Sequence, residues 1–338
     1  MKDAAGEDWG KRDSRGEWQP PELPKPSPLF SLPWRPWEII KYLFGPQGFF
    51  LPYNLFYALL AVVTWLFFTP SLARTVHFEV GWIAEIFLRD VVLLILVAGG
   101  LHLRLYITRG QGTTFKYTNK WLAKNDTKFL FGNQTFDNVF WNLTSGAFIW
   151  TAYEAVTLWA FSNGVIPFVD WRVHPVYCVL IMLAIPFLRQ AHFYFAHRFT
   201  HWAPVYKASH YLHHKNINIG PWSGLTMHPI EHVIYFTGVL LHWVIPSHPV
   251  HAIFHLMHAG ISPALGHAGF HKLVTKDERG LMADNYFHYL HHRFFTVNYG
   301  VESVPLDKWF GSFHDGSPEA HAAMLARRSK ARKAEPKN

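Results

Sequence analysis

The chain has 338 residues, half of them hydrophobic, with 16% charged and 17% aromatic residues and a formal net charge of +8. A charged share well below the roughly 25% of soluble domains argues against an ordinary water-soluble enzyme and against a disordered chain. The lone cysteine, Cys178, excludes a disulfide framework, a zinc ribbon and any cysteine-ligated iron–sulfur cluster, which leaves 23 histidines as the feature to explain.

Residues 1–38 are proline-rich and polar and read as a flexible tail. They lack the charged, apolar and small-residue succession of a secretory signal peptide. Trp34 to Phe44 mixes aromatic and aliphatic residues with Arg35 and Lys41, which suits a membrane-surface helix or an ordinary amphipathic one. Phe49 to Phe68 is twenty residues without a charge, long enough to cross a bilayer. Val91 to Ile107, Trp141 to Phe168 (apolar apart from Glu154) and Val176 to Leu188 are the next predicted spans. Val233 to Ile245 and Ala252 to Leu265 are apolar, shorter and carry histidines; a re-entrant hairpin, full spans and helices packed on the others all fit their length.

The fold class expected is therefore all-α: a polytopic membrane helix bundle of about four to six membrane-embedded helices with a cytoplasmic, histidine-rich helical cap. The expected organisation is a tail (1–38), N-terminal membrane helices with a basic cytoplasmic loop (39–135), a catalytic domain (136–315) and a basic C-terminal tail (316–338). Basic residues flank the apolar runs, at Arg109 to Lys128, at Arg198, Lys207 and Lys215, and from Arg327 to Lys337. By the positive-inside rule these segments are cytoplasmic, so the net charge reads as topology and headgroup contact, and nucleic acid is not an expected partner.

Eighteen of the 23 histidines lie between His192 and His292. His197 and His201 are spaced H-x3-H, as are His228 and His232, and His267 and His271. His210, His213 and His214 are spaced H-x2-H-H, and His288, His291 and His292 repeat that spacing. Residues at i, i+3 and i+4 share a helix face, so each repeat puts three imidazoles on one stripe. Neutral imidazole is a good ligand for iron, zinc, copper and nickel. Eight to ten histidines exceed what one ion takes, whereas two ions with four or five imidazoles each fit the count. His251, His255 and His258 form another stripe, at i, i+4 and i+7, suited to supporting ligands, lining a cavity or bonding helices together. His192 lies five residues before His197, off its face, and is a reserve ligand.

In order, HRFTH (197–201), HYLHH (210–214), HPIE (228–231), HAGF (267–270), HYLHH (288–292), NYG (298–300) and LDKWFGSF (306–313) resemble the sterol desaturase and fatty acid hydroxylase superfamily across about residues 140 to 315. The HRxxH spacing and Asn-Tyr-Gly lean toward its sterol C5-desaturase branch. The resemblance implies an integral membrane enzyme with two iron ions and O2 as co-substrate. It would desaturate or hydroxylate an unactivated C–H bond of a lipid, most readily a sterol-like one; a fatty acyl or sphingolipid hydroxylase is the alternative. The resemblance carries the ligand roles to His197, His201, His210, His213, His214, His228, His267, His288, His291 and His292, with His232 and His271 in reserve. Glu231, Asp284 and Asn298 are expected to orient ligand imidazoles from behind.

The sequence holds no dinucleotide fingerprint, no His-Pro-Gly-Gly and no cysteine cluster, so electrons are expected from a separate cytochrome b5, ferredoxin or reductase. A basic surface around Lys207, Lys215 and the C-terminal tail would suit an acidic carrier. The active site is expected to face the cytoplasm, from the inner or plasma membrane of a bacterium or the endoplasmic reticulum of a eukaryote. A haem-binding electron carrier or a metal transporter is the remote alternative. Haem needs single histidines facing one another across mid-membrane, and a transporter needs acids along a path, for which Glu154 is the clear candidate.

Overall fold

The computed structural model describes residues 10–24, 27–275, 280–283 and 285–334. They are mostly helical, with two small antiparallel sheets: Lys11–Arg12 against Trp18–Gln19, and Lys272–Val274 against Gly280–Met282.

The helix Pro249–Gly266 is the axis of the molecule. It is enclosed by other helices, and sixteen of its eighteen residues are buried, mostly apolar but including the stripe His251, His255 and His258. Around it stand Tyr53–Phe67, Val80–Leu94, Ala147–Ser162 and Pro175–Thr200. Gly260 lets the Trp150 ring lie directly on the axial helix; a Cβ there would come within 2.3 Å of a ring carbon. Val80–Leu94 continues without a break to Ile107 through two π-helical turns.

The outer helices turn apolar side chains away from the protein. Leu59, Leu66, Leu88, Leu96, Val176 and Leu180 are all exposed, a surface that suits lipid and not water. Pro175–Thr200, at 26 residues, is long and apolar enough to cross a membrane, and Tyr53–Phe67 is a shorter apolar helix. The first of these extends the predicted fourth span by three turns and so carries His197 to the bundle's end. The two histidine-bearing apolar segments become the helix Pro229–Phe236 with a 3-10 continuation, Thr237–Trp243, and the axial helix itself.

One charged cluster interrupts this interior. Arg89 donates to Asp90 Oδ1 at 2.7 Å and to Glu154 Oε2 at 2.6 Å, and Thr151 donates to Asp90 Oδ2. Glu154 is thus matched by a cation on the neighbouring helix, which a reading of single spans does not reveal.

The expected flexible tail is in part folded. Trp18 is buried against Phe115, Tyr117 and the His271 ring, and Arg12 donates to the carbonyls of Thr113 and Lys116. A large aromatic with a ready-made apolar seat outweighs the disorder that the surrounding prolines and charges favour. Pro36–Phe44 buries no residue and leaves Trp37, Ile40 and Phe44 exposed.

Candidate metal centre

Nine buried or half-buried histidines converge at one end of the bundle in two groups. His197, His201, His210, His214 and His291 form the first; His213, His267, His288 and His292 form the second. Within each group the facing nitrogens all lie within 4.8 Å of one another.

Local geometry sorts them. His197 ends the long helix Pro175–Thr200 and His201 caps it, one turn on. In Tyr211–His214, entered through a π-helical turn, His210 and His214 point one way and His213 the other. In Tyr286–Phe294 the split is reversed: His288 and His292 serve the second group and His291 the first. Residues four apart share a face, and the residue three on is rotated by about 60° from the first. Each H-x2-H-H stripe is therefore wide enough to serve two centres, and the two stripes do so reciprocally.

In the first group His201 Nε2 lies 3.0 Å from that of His210, 3.1 Å from that of His214 and 3.2 Å from that of His291. In the second, His267 Nε2 lies 3.1 Å from that of His288 and from that of His292. Nitrogens bound to one ion at about 2.1 Å stand roughly 3.0 to 3.4 Å apart. The spacing fits a shared ion in each group, and an all-imidazole donor set fits iron.

The outer nitrogens fix this direction. Nδ1–H of His197 is held by the Tyr299 carbonyl at 2.6 Å, that of His291 by Val297 O at 2.6 Å, and that of His213 by Thr226 O at 3.2 Å. His267 Nδ1 donates to Pro263 O at 3.1 Å, and His210 Nδ1 meets Glu231 Oε1 at 2.6 Å. A proton held at Nδ1 leaves the Nε2 lone pair facing inward. His197 Nε2 is buried with no hydrogen-bond partner of its own, as a nitrogen kept for an ion would be.

Burial keeps these rings neutral. It drives His210, His213, His214, His288, His291 and His292 well below the ordinary imidazole value, His267 to about 3 and His201 to about 2, with neighbouring imidazoles adding to the depression. It pushes the Glu231 carboxyl up. The unfolded chain binds protons at these histidines near pH 6.5 and the folded chain does not. Their contribution is favourable above that pH and is lost as pH falls from about 6.5 toward the depressed values. The metal-free protein is expected to melt at a lower temperature at pH 5 than at pH 7.5; equal melting temperatures in detergent would contradict this.

The structure does not bring every expected residue here. His228 caps the helix Pro229–Phe236, its Nδ1 accepting the Ile230 N–H, and stands outside both groups. His232 is occupied by Leu225 O and Ser145 Oγ, His271 by Tyr117 and the Trp18 ring, and His192 by Thr237 Oγ1. Glu231 touches a group member as expected, whereas Asp284 lies outside the described residues. The Asn298 amide bonds main chain only, at Phe287 O, His314 O and His314 N, and Asp307 accepts from Tyr299 N and Gly300 N. Together they shape the turn that aims the Tyr299 carbonyl at His197. Lys215 is no free basic residue, because its ammonium lies 2.7 Å from Asp137 and is largely buried.

A cavity of about 440 Å³ opens onto the histidines. Phe49, Tyr53, Phe193 and Met227 line it together with His197, His213, His267 and His288, and Lys41 and Gln47 are also on its lining.

Residues 180–312 match the fatty acid hydroxylase family. Over 149 residues the chain is 30% identical to a Δ7-sterol 5(6)-desaturase of Candida glabrata, covering 43% of this chain and 39% of that protein. It is 25% identical to the Saccharomyces cerevisiae enzyme of that name over 147 residues (43% and 39%), and 25% identical to a Nicotiana tabacum Δ7-sterol-C5(6)-desaturase over 151 residues (44% and 53%). The chain thus matches well under two thirds of each relative's length. No solved structure matches it. The stretch that matches the fatty acid hydroxylase family, residues 180–312, contains all nine converging histidines, and these relatives, to which the chain is similar, are sterol desaturases.

Proposed function

We propose that the protein is a multi-pass membrane oxygenase that holds one iron in each histidine group. It uses O2 and two external electrons to desaturate or hydroxylate a sterol-like lipid. The observation that carries this is the convergence of two neutral imidazole groups beside a cavity large enough for part of a lipid. Iron bound there supplies the reduction of O2 and the removal of hydrogen from an unactivated C–H bond.

The chain's own residues do the rest. The five outward Nδ1 bonds hold the rings in the binding tautomer. Phe49, Phe193 and Met227 supply an apolar wall that seats a hydrocarbon and keeps bulk water from the reacting bond. Lys41 and Gln47 give the lining polar groups for a polar end, and Lys41 belongs to the helix Pro36–Phe44, whose exposed Trp37 and Phe44 suit a membrane surface. The histidine end of the bundle faces the cytoplasm in this reading. It receives electrons there from a separate protein, and the ligand set is the nine converging histidines with Glu231 behind His210.

The test is expression of the full chain with a reductase system, feeding of Δ7-sterols and other lipids under O2, and mass spectrometry of the products. A new double bond or an added oxygen in a sterol is expected. Conversion confined to fatty acyl or sphingolipid substrates would favour the hydroxylase alternative, and no conversion of any lipid would contradict the proposal.

A further inference from the structure

Beside the two metal groups lies another row of imidazoles, buried in the bundle and used by nothing described so far. We propose that Ser247, His242, His255 and His192 form a proton relay that feeds the large cavity from the opposite end of the bundle; this rests on the oxygenase reading above.

The row is connected. His242 Nδ1 lies 2.8 Å from Ser247 Oγ, and His242 Nε2 lies 3.2 Å from His255 Nδ1. His255 Nε2 and His192 Nδ1 then face one another across Gly238, whose missing Cβ would lie 2.8 Å and 3.1 Å from them. A small cavity of about 10 Å³ occupies this place, where Arg189, His192, Tyr235 and His255 share the lining with apolar residues such as Phe193, Phe236 and Leu256. That is about the space one water molecule needs, among polar groups that would bind it. Arg189 donates to the Tyr235 hydroxyl at 2.7 Å, and both residues also line the large cavity.

The row also runs in the right direction. Ser247 joins the 163–174 loop at the end of the bundle away from the metal groups, through Val169 N to Ser247 O and Ser247 N to Pro167 O. The axial helix Pro249–Gly266 leads from there to His267, a length of about 27 Å. His255 lies in its first half, and His242 bonds to it there from the neighbouring segment Thr237–Trp243.

Two features separate a relay from simple helix bonding. Ser247 Oγ has a second acceptor, Ile245 O, at 2.8 Å. Its hydrogen can lie on Ile245 or on His242, so the Ser247–His242–His255 row is satisfied in both polarities, as proton transfer along it requires. A third metal site is not indicated: among the described residues the imidazoles whose ligand atoms converge are those of the two metal groups, and this row is not one of them.

The chemistry needs such a supply. One desaturation converts a CH–CH unit, O2, two electrons and two protons into an alkene and two waters. One hydroxylation converts a C–H bond, O2, two electrons and two protons into an alcohol and one water. Where the apolar wall keeps bulk water from the reacting bond, protein groups are the route for those protons.

The experiment uses the full chain in lipid vesicles with an external reductase, O2 and the lipid converted by the wild type. His255→Leu removes the central imidazole, and Gly238→Ala fills the gap between His255 and His192. Both are expected to keep wild-type iron content while turnover falls roughly tenfold or more. Millimolar imidazole, a diffusible proton carrier, is expected to restore turnover to His255→Leu. Wild-type turnover in both variants, loss of iron in His255→Leu, or a loss that imidazole does not relieve would overturn the relay alone. A wild type that holds iron but converts no lipid would overturn the oxygenase reading and the relay with it.

Discussion

Replacing His291 or His213 by alanine is expected to abolish turnover and to lower bound iron. The two residues test different groups. His291 stands among the five nitrogens of the first group, fixed by Val297 O, and His213 among the four of the second, fixed by Thr226 O. Both are fully enclosed, so neither loss is made good by solvent. Even outer partners of metal ligands cost about 10- to 100-fold in metal affinity or activity; loss of a ligand is expected to exceed that, with iron falling from two per chain to about one or fewer. His228→Ala is the contrast. His228 belongs to a histidine box but caps a helix outside both groups. That variant is expected to keep its iron and most of its turnover. Full activity in His291→Ala or His213→Ala would refute the ligand set, and loss of iron in His228→Ala would restore the box-based assignment.

Arg89→Leu is expected to cost about 3–5 kcal/mol of stability, the typical penalty for removing one partner of a buried charge cluster. Arg89 is held at once by Asp90 and Glu154, and the three side chains are almost wholly enclosed. Leucine there leaves two carboxylates facing each other without a cation. The combined Arg89→Leu, Asp90→Asn, Glu154→Gln variant removes the charges together and is expected to recover most of the loss. Yield and melting temperature in detergent are the readouts. A single variant as stable as the wild type would show that the cluster is neutralised in another way.

Much of the site was legible in the sequence because helical spacing is a rigid constraint. H-x2-H-H places three rings on one stripe whatever surrounds the helix, and two such repeats already called for two ions. Spacing alone does not say which ring serves which ion. That depends on how the helices Tyr211–His214 and Tyr286–Phe294 face each other, and their reciprocal split appears only in three dimensions. Main-chain acceptors are equally silent. Thr226, Pro263, Val297 and Tyr299 orient imidazoles through carbonyls, and a carbonyl leaves no mark on residue type. The spacings H-x3-H at His228–His232 and His267–His271 misled for the same reason: of those four rings only His267 reaches a group, because the chain departs from the helical path at each box. In the fold, apolar runs located the helices. Their ends were set by packing that composition does not show, as where the long helix continues to Thr200 or where Trp18 anchors a segment otherwise polar enough to be loose.

The central claim is that the two histidine groups each hold an iron. Metal analysis and an absorption spectrum of the purified full-length protein test it most directly. The result expected is two irons per chain with no haem Soret band; a haem spectrum, or a single zinc in place of iron, would contradict it.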